Sequence, residues 1–150
     1  MRMFTGADEL RAAAGEQLGT SDWMTVDQQR VNAFADATED HQWIHVDPQR
    51  AAAGPFGTTI AHGFLTLSLL PYLIGQTYRV EGATMVINYG LNKVRFPAPV
   101  PVGSTVRAEV VLAEATEVTG GLHLVVRATL GIKCSVKPGC VADWVIRIYF

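Results

Sequence analysis

Apolar residues recur at helical spacing in the first third of the chain, crowd together in the middle, and alternate with polar ones from about residue 85 onward. Residues 6–18 mix alanines with Glu9, Arg11 and Glu16, which predicts a short N-terminal helix ended by Gly19. Ser21 to Met24 reads as a brief strand or extended entry. Thr25 followed by Gln28 forms a capping-box pattern, and Val31, Phe34 and Ala35 then share one face of a helix of roughly three turns, from Val26 to about Ala37. Thr38-Glu39-Asp40 ends it. Asp47 is placed to cap a helical turn starting at Pro48, and Gly54-Pro55-Phe56-Gly57 is a turn signature. Gly63 to about Gly75 is the central helix. It is apolar almost all round, so the rest of the protein is expected to enclose it. Pro71 inside it should kink the helix and leave the Leu67 carbonyl without its partner.

Beyond Gly82 the period becomes two. Met85, Ile87 and Tyr89 share a face, and Gly90 marks a bulge or bend; Pro97-Ala-Pro-Val-Pro101 ends that strand. Val106, Ala108, Val110 and Leu112 alternate with polar residues, as do Leu122, Leu124, Val126, Ala128, Leu130 and Ile132. Gly120-Gly121 and Pro138-Gly139 are the turns between them, and Val141 to Tyr149 is the last strand. Four long strands joined by short turns predict an antiparallel meander. One enclosed helix followed by such a sheet is an α+β arrangement, and wrapping a curved sheet round the helix buries it most economically. No internal repeat or low-complexity linker divides residues 1–150, so one domain is expected.

Hydrophobic residues make up 49% of the chain and charged residues 17%, which leaves the surface short of charge and points to a second subunit covering part of it. Valines and Tyr149 on the outer sheet face agree with that. The net charge of -2, with no run of basic residues, argues against nucleic acid as the main partner. Ala51 to Tyr78 carries no Asp, Glu, Lys or Arg, but its glycines, Pro55 and Pro71 break it. Its dense apolar part, Phe64 to Ile74, falls short of the ~20 residues a membrane span needs. Met1-Arg-Met-Phe-Thr-Gly lacks the apolar core of a signal peptide, so a cytoplasmic location is expected. Cys134 and Cys140 supply at most two metal ligands and read as reduced packing cysteines.

Asp40 and His45 are the first candidates for chemistry. Hydrating a double bond conjugated to a carbonyl needs a base for water, an acid for the other end, and a stabiliser for the enolate. A carboxylate and an imidazole five residues apart can meet the first two needs. Taken singly, Asp40 reads rather as a helix-end or turn carboxylate and His45 as a packing or hydrogen-bonded histidine. Gly63 is the third part. The first N–H groups of a helix lack internal partners, and an oxygen can approach a glycine closely; a glycine needed for tight packing explains it as well. His62 reads as a residue shaping the helix entry, and His41 as solvent-facing. Ser68 lacks a G-x-S-x-G context, and neither G-x-G-x-x-G nor a P-loop occurs.

Asp40-His-Gln-Trp-Ile-His45, with the upstream Phe34-Ala-Asp-Ala-Thr and downstream Ala51, resembles the hydratase-2 signature of MaoC-like dehydratases, the (R)-specific enoyl-CoA hydratases. Phe56-Gly-Thr-Thr-Ile-Ala-His-Gly63 resembles the family's second block, and Tyr89-Gly-Leu-Asn-Lys-Val-Arg-Phe-Pro-Ala-Pro-Val a third. The wording is closest to short, single-domain members of mycobacterial type. The resemblance implies a hot-dog fold, a homodimer with a shared substrate tunnel, and reversible hydration of a trans-2-enoyl-CoA to an (R)-3-hydroxyacyl-CoA. It further implies that Asp40 and His45 activate water, that the Gly63 amide polarises the thioester carbonyl, and that Gln42 and His62 join Gly63 in binding substrate. Neither a metal nor a redox cofactor is implied. The chain departs from the usual pattern at Glu39 (for glycine), Gln42 (for asparagine) and Trp43 (for proline).

Two other readings share the fold. A hot-dog acyl-CoA thioesterase would carry a carboxylate on the central helix, and residues 63–75 contain neither Asp nor Glu. A non-catalytic acyl-CoA-binding subunit would not need the intact Asp40/His45 pair.

Overall fold

The computed structural model describes residues 1–150. In chain order the elements are β1 (Arg2–Phe4), α1 (Ala7–Ala12), β2 (Gln17–Thr20), β3 (Met24–Thr25), α2 (Gln28–Thr38), α3 (Trp43–Val46) and α4 (Pro48–Ala52). There follow α5 (Gly63–Ser68), α6 (Leu70–Ile74), β4 (Tyr78–Val80), β5 (Met85–Arg95), β6 (Thr105–Val118), β7 (Gly121–Ile132) and β8 (Cys140–Tyr149). The main sheet runs β2-β6-β7-β8-β5, all antiparallel, with β3 also paired to β6. A separate parallel pair joins β1 to β4.

The alternation read in β6 and β7 is the inner face of this sheet. Val106, Ala108, Val110, Leu112, Leu124, Val126, Ala128 and Leu130 are all fully buried. They form one cluster with Leu65, Leu69, Leu70, Leu73 and Ile74 from α5 and α6. Each large side chain so enclosed stabilises the fold by about 1.5–3 kcal/mol.

Several elements differ from the sequence reading. The N-terminal helix stops at Ala12, because Gly15 takes a left-handed φ of 91° and residues 17–20 pair with β6 instead. Sheet pairing has outweighed the helical preference of the alanines. Helix α2 begins at Gln28, and its cap is Asp27, whose Oδ1 accepts from the Arg30 N–H at 2.8 Å. Thr25 is left in β3, so the Thr25/Gln28 capping box does not form. Asp47 does cap α4, accepting from Arg50 N–H at 3.0 Å.

The central helical run is interrupted at Leu69, giving α5 and α6. Pro71 lies in the first turn of α6, where its missing N–H costs nothing. The bonds Leu69 N–H to Leu65 O and Leu73 N–H to Leu69 O, both 3.1 Å, carry the path across the break. The run is enclosed on one face only: Phe64 is 70% exposed and Tyr72 62%.

The meander holds for β6, β7 and β8, but β5 is out of sequence. It pairs with β8 at the far edge of the sheet, so the Phe96–Ser104 connection crosses to β6 instead of turning tightly. Three prolines in that connection lack the N–H groups a strand ladder needs, so the strand does not continue through it. A register shift beside Gly90 is the bulge expected there. Strand β5 is exposed almost throughout, and Met85, Val86, Ile87, Tyr89 and Leu91 are its open apolar positions. The uncovered apolar surface therefore lies on β5 rather than around Tyr149. Both cysteines are free thiols, and burial pushes the Cys140 thiol up to about 11. No helix is long and apolar enough to cross a membrane.

Candidate active site

Helix α2 delivers the first member of the site. It ends on Glu39, which takes the left-handed conformation (φ 61°, ψ 17°) and turns the chain sharply out of the helix. Asp40 follows at once and is exposed, so its carboxylate faces the outside rather than the core. The Gln42 N–H lies 3.4 Å from Asp40 Oδ1, a long contact that leaves the carboxylate largely free for other partners. The Gln42 side chain is exposed and makes no capping bond to α3, so the residue reaches the site through its backbone.

The single turn of α3 then carries His45 inward, where it is 7% exposed. Its Nδ1 lies 2.7 Å from the Ile60 carbonyl. A carbonyl can only accept, so the neutral ring carries its proton on Nδ1 and presents a bare Nε2. Burial holds the His45 pKa below the ordinary histidine value. The Ile60 hydrogen bond opposes that shift, nearby His62 reinforces it, and Asp40 opposes it. The product is a neutral imidazole with a free basic nitrogen, close to a carboxylate.

The chain from Thr59 to His62 supplies the other wall. It runs extended, with Ile60 N–H bonded to Ile44 O at 3.0 Å, Ala61 N–H to Val100 O at 2.8 Å, and Ile60 bridged to Pro101. The proline-rich crossover is thus the backing that holds the acceptor of His45. His62 is buried, its Nε2 lies 2.9 Å from the Asp40 carbonyl, and its ring stacks on His45 with centroids 3.8 Å apart and 24° between planes. Gly63 then opens α5, and its N–H has no partner within the chain. A Cβ at Gly63 would sit 3.2 Å from the Phe96 ring, so the glycine also serves close packing.

The structure therefore brings Asp40, His45 and His62 together, with donor atoms all within 4.8 Å of one another, and seats Gly63 directly after His62. That separation also suits a metal, but the ring geometry does not. A cation binds imidazole in the plane of the ring, and stacked rings aim their lone pairs side by side rather than at one point. The set is better suited to moving a proton. His41 stays outside, exposed and paired with Asp36 at 2.8 Å, and this hydrogen bond raises its pKa above the ordinary value.

One member of this constellation carries only a helix-cap pattern in the sequence. Gln28 Oε1 accepts from the Thr59 hydroxyl at 2.6 Å, while its Nε2 donates to the His45 carbonyl at 2.7 Å and to Asn32 Oδ1 at 2.9 Å. It ties α2 to both segments that hold His45. Its position beside Thr25 suggested a helix cap, and no local pattern reveals a partner 31 residues away.

Residues 9–131 match the family model described as MaoC like domain. The chain is 60% identical over 148 residues to 3-hydroxyacyl-thioester dehydratase Z of Mycobacterium tuberculosis (strain ATCC 25618 / H37Rv), covering 98% of both chains. It is 48% identical over 140 residues to nodulation protein N of Rhizobium leguminosarum bv. viciae, covering 91% of this chain and 86% of that one. Among solved structures, the (R)-hydratase of A. caviae involved in PHA biosynthesis superposes with a TM-score of 0.73 at 27% identity, over 89% of this chain and 94% of that one.

Proposed function

The chain belongs to the MaoC-like dehydratase family and has its hot-dog fold, and from that premise we propose that it is a hydratase/dehydratase of 3-hydroxyacyl thioesters. In the hydration direction it adds water to a trans-2-enoyl-CoA and forms the (R)-3-hydroxyacyl-CoA. The observation that carries this reading is the pairing of an exposed carboxylate with a neutral imidazole whose Nε2 is unengaged. The (R) hand rests on the likeness to the A. caviae (R)-hydratase.

In this mechanism one water is held between the Asp40 carboxylate and His45 Nε2. The pair takes a proton from it as the water oxygen bonds to C3 of the enoyl group. The electrons of the C2=C3 bond move onto the thioester oxygen, where the unpartnered Gly63 N–H meets the developing enolate. The enolate then collapses as the pair returns a proton to C2. Dehydration is the same path reversed: the α-proton leaves first, and the C3 hydroxyl departs as water as the pair protonates it. Gln42 and His62 border this path, Gln42 through its backbone and His62 behind His45. No step calls for a metal or a redox cofactor.

The same reading includes a homodimer. Strand β5 is an edge strand with open apolar side chains, and an exposed edge of that length is ordinarily paired or covered. Phe64 and Tyr72 extend the open surface onto the central helices. An apolar groove of about 220 Å³, lined by Leu67, Ser68, Pro71, Leu91 and Trp144 among others, lies between those helices and the sheet. A second copy across β5 closes it into a tunnel for the acyl chain.

The test is to mix the purified protein with crotonyl-CoA and with a long trans-2-enoyl-CoA and follow loss of the conjugated chromophore. Free CoA is monitored in parallel. Hydration without CoA release is expected; release of CoA would mark a thioesterase, and a folded protein inert on both substrates would refute the reading.

A further inference from the structure

His62 takes no proton in the mechanism above, yet it is the most deeply buried titratable group of the site, at 2% exposure. Its ring makes two separate contacts. One face lies on His45, centroids 3.8 Å apart, and the edge carrying Nε2 reaches the Asp40 carbonyl at 2.9 Å. Phe34 closes against the ring at 4.9 Å. The remaining nitrogen, Nδ1, is buried with no hydrogen-bond partner. An apolar side chain of the same shape would fill this space without leaving a buried acceptor unsatisfied. Packing alone therefore does not account for a histidine here.

We propose that His62 is a positioning residue for the hydration reaction, a single side chain that fixes both members of the acid/base pair. Its Nε2–H pins the backbone of Asp40 just beyond the left-handed turn at Glu39, while its face holds the His45 ring flat and dry. Both tasks need a planar ring with a donor at its edge. The arrangement dictates tautomers: His62 carries its proton on Nε2, because the Asp40 carbonyl only accepts, and His45 carries its proton on Nδ1 for Ile60. These two hydrogen bonds leave His45 Nε2 available as the base.

Most other charged groups around α3 are already engaged, and exposed Glu39 acts on His41. Asp36 on α2 pairs with His41, Asp47 caps α4, and Arg50 lies over the Trp43 ring at 4.5 Å. Asp40 and His62 are the titratable side chains that act on His45, beside the burial that chiefly lowers its pKa.

The proposal rests on the hydratase reading, and its test separates the two. Nitrogen-15 NMR of the wild-type chain reads both tautomers without any substrate. His62 is expected in the Nε2–H form and His45 in the Nδ1–H form. His62 in the Nδ1–H form, which leaves the Asp40 carbonyl without a donor, overturns the proposal. Two variants then divide its roles. His62→Phe keeps a ring face over His45 and loses the donor; kcat should fall about tenfold or more through misplacement of Asp40, with KM within about twofold. His62→Gln keeps a donor and loses the face. The His45 titration and the acid limb of kcat/KM should then both move up toward about 6.5, a shift that general destabilisation would not cause. Variants with wild-type kcat and an unmoved His45 titration overturn the proposal. A wild-type protein inert on enoyl-CoA, but with the expected tautomers and titration, defeats the hydratase reading and leaves the positioning geometry standing.

Discussion

Glu39 offers a quantitative test of the turn that presents Asp40. It is a non-glycine residue at φ 61°, ψ 17°, on the surface at the C-terminus of α2. The left-handed conformation costs an ordinary L-residue roughly 1–2 kcal/mol. Glycine removes that cost but loses about 0.5–1 kcal/mol more chain entropy on folding. Glu39→Gly should therefore stabilise the protein by about 0.5–1 kcal/mol. For a chain of this size that corresponds to a rise of about 1–4 °C in Tm. Removing a carboxylate from the negative end of α2 acts in the same direction. Glu39→Ala separates the two effects, since it removes the charge and keeps the strained backbone. Thermal and urea denaturation of the three proteins is the assay, with enoyl-CoA hydration measured alongside. Glycine is expected to be the most stable and to retain activity. A glycine variant no more stable than the alanine variant would refute the strained turn, and complete loss of activity would show that Glu39 has a role of its own.

Gln28→Ala strands the buried Thr59 hydroxyl and removes the donor to the His45 carbonyl. It should cost about 1–3 kcal/mol in urea denaturation and lower kcat more than it raises KM. The acid limb of kcat/KM should lie below about pH 6.5, because burial lowers the His45 pKa and keeps Nε2 unprotonated further into acid. The same shift predicts a stability effect of definite sign. The contribution of neutral His45 is complete above about pH 6.5 and is lost as pH falls toward and through its lowered folded value, which denaturation at a series of pH values will show. Ile87→Lys, on the exposed face of β5, should shift light-scattering mass from dimer toward monomer. Wild-type protein that stays monomeric and active at micromolar concentration would contradict both the dimer and the shared tunnel.

The parts of this molecule that local chemistry decides were legible in the sequence. Alternation in β6 and β7 gave the buried face residue by residue, because a strand's period places every second side chain on one side. Asp47 capped α4, and Pro71 fell where the central helix breaks. Features decided at long range were not legible. Nothing local says that β5 pairs with β8, because strand partners are chosen across the whole sheet. The N-terminal helix was overestimated for the same reason, as β6 recruits residues 17–20. Within the site, Asp40 and His45 stood out through the stretch that resembles the family signature, since spacing alone left each open to a structural role. The stack between His45 and His62, and the Gln28 brace, depend on a segment that returns from residues 59–62.

The most direct test of the central claim is the steady-state rate of enoyl-CoA hydration by folded Asp40→Asn and His45→Gln variants beside the wild type. Circular dichroism and thermal melts establish that the variants are folded. A group that transfers a proton in the transition state contributes about 10²–10⁴-fold. Each substitution is expected to lower kcat by that order with the melting curve little changed. Either variant hydrating its substrate at close to the wild-type rate would remove that residue from the mechanism and contradict the reading of the pair.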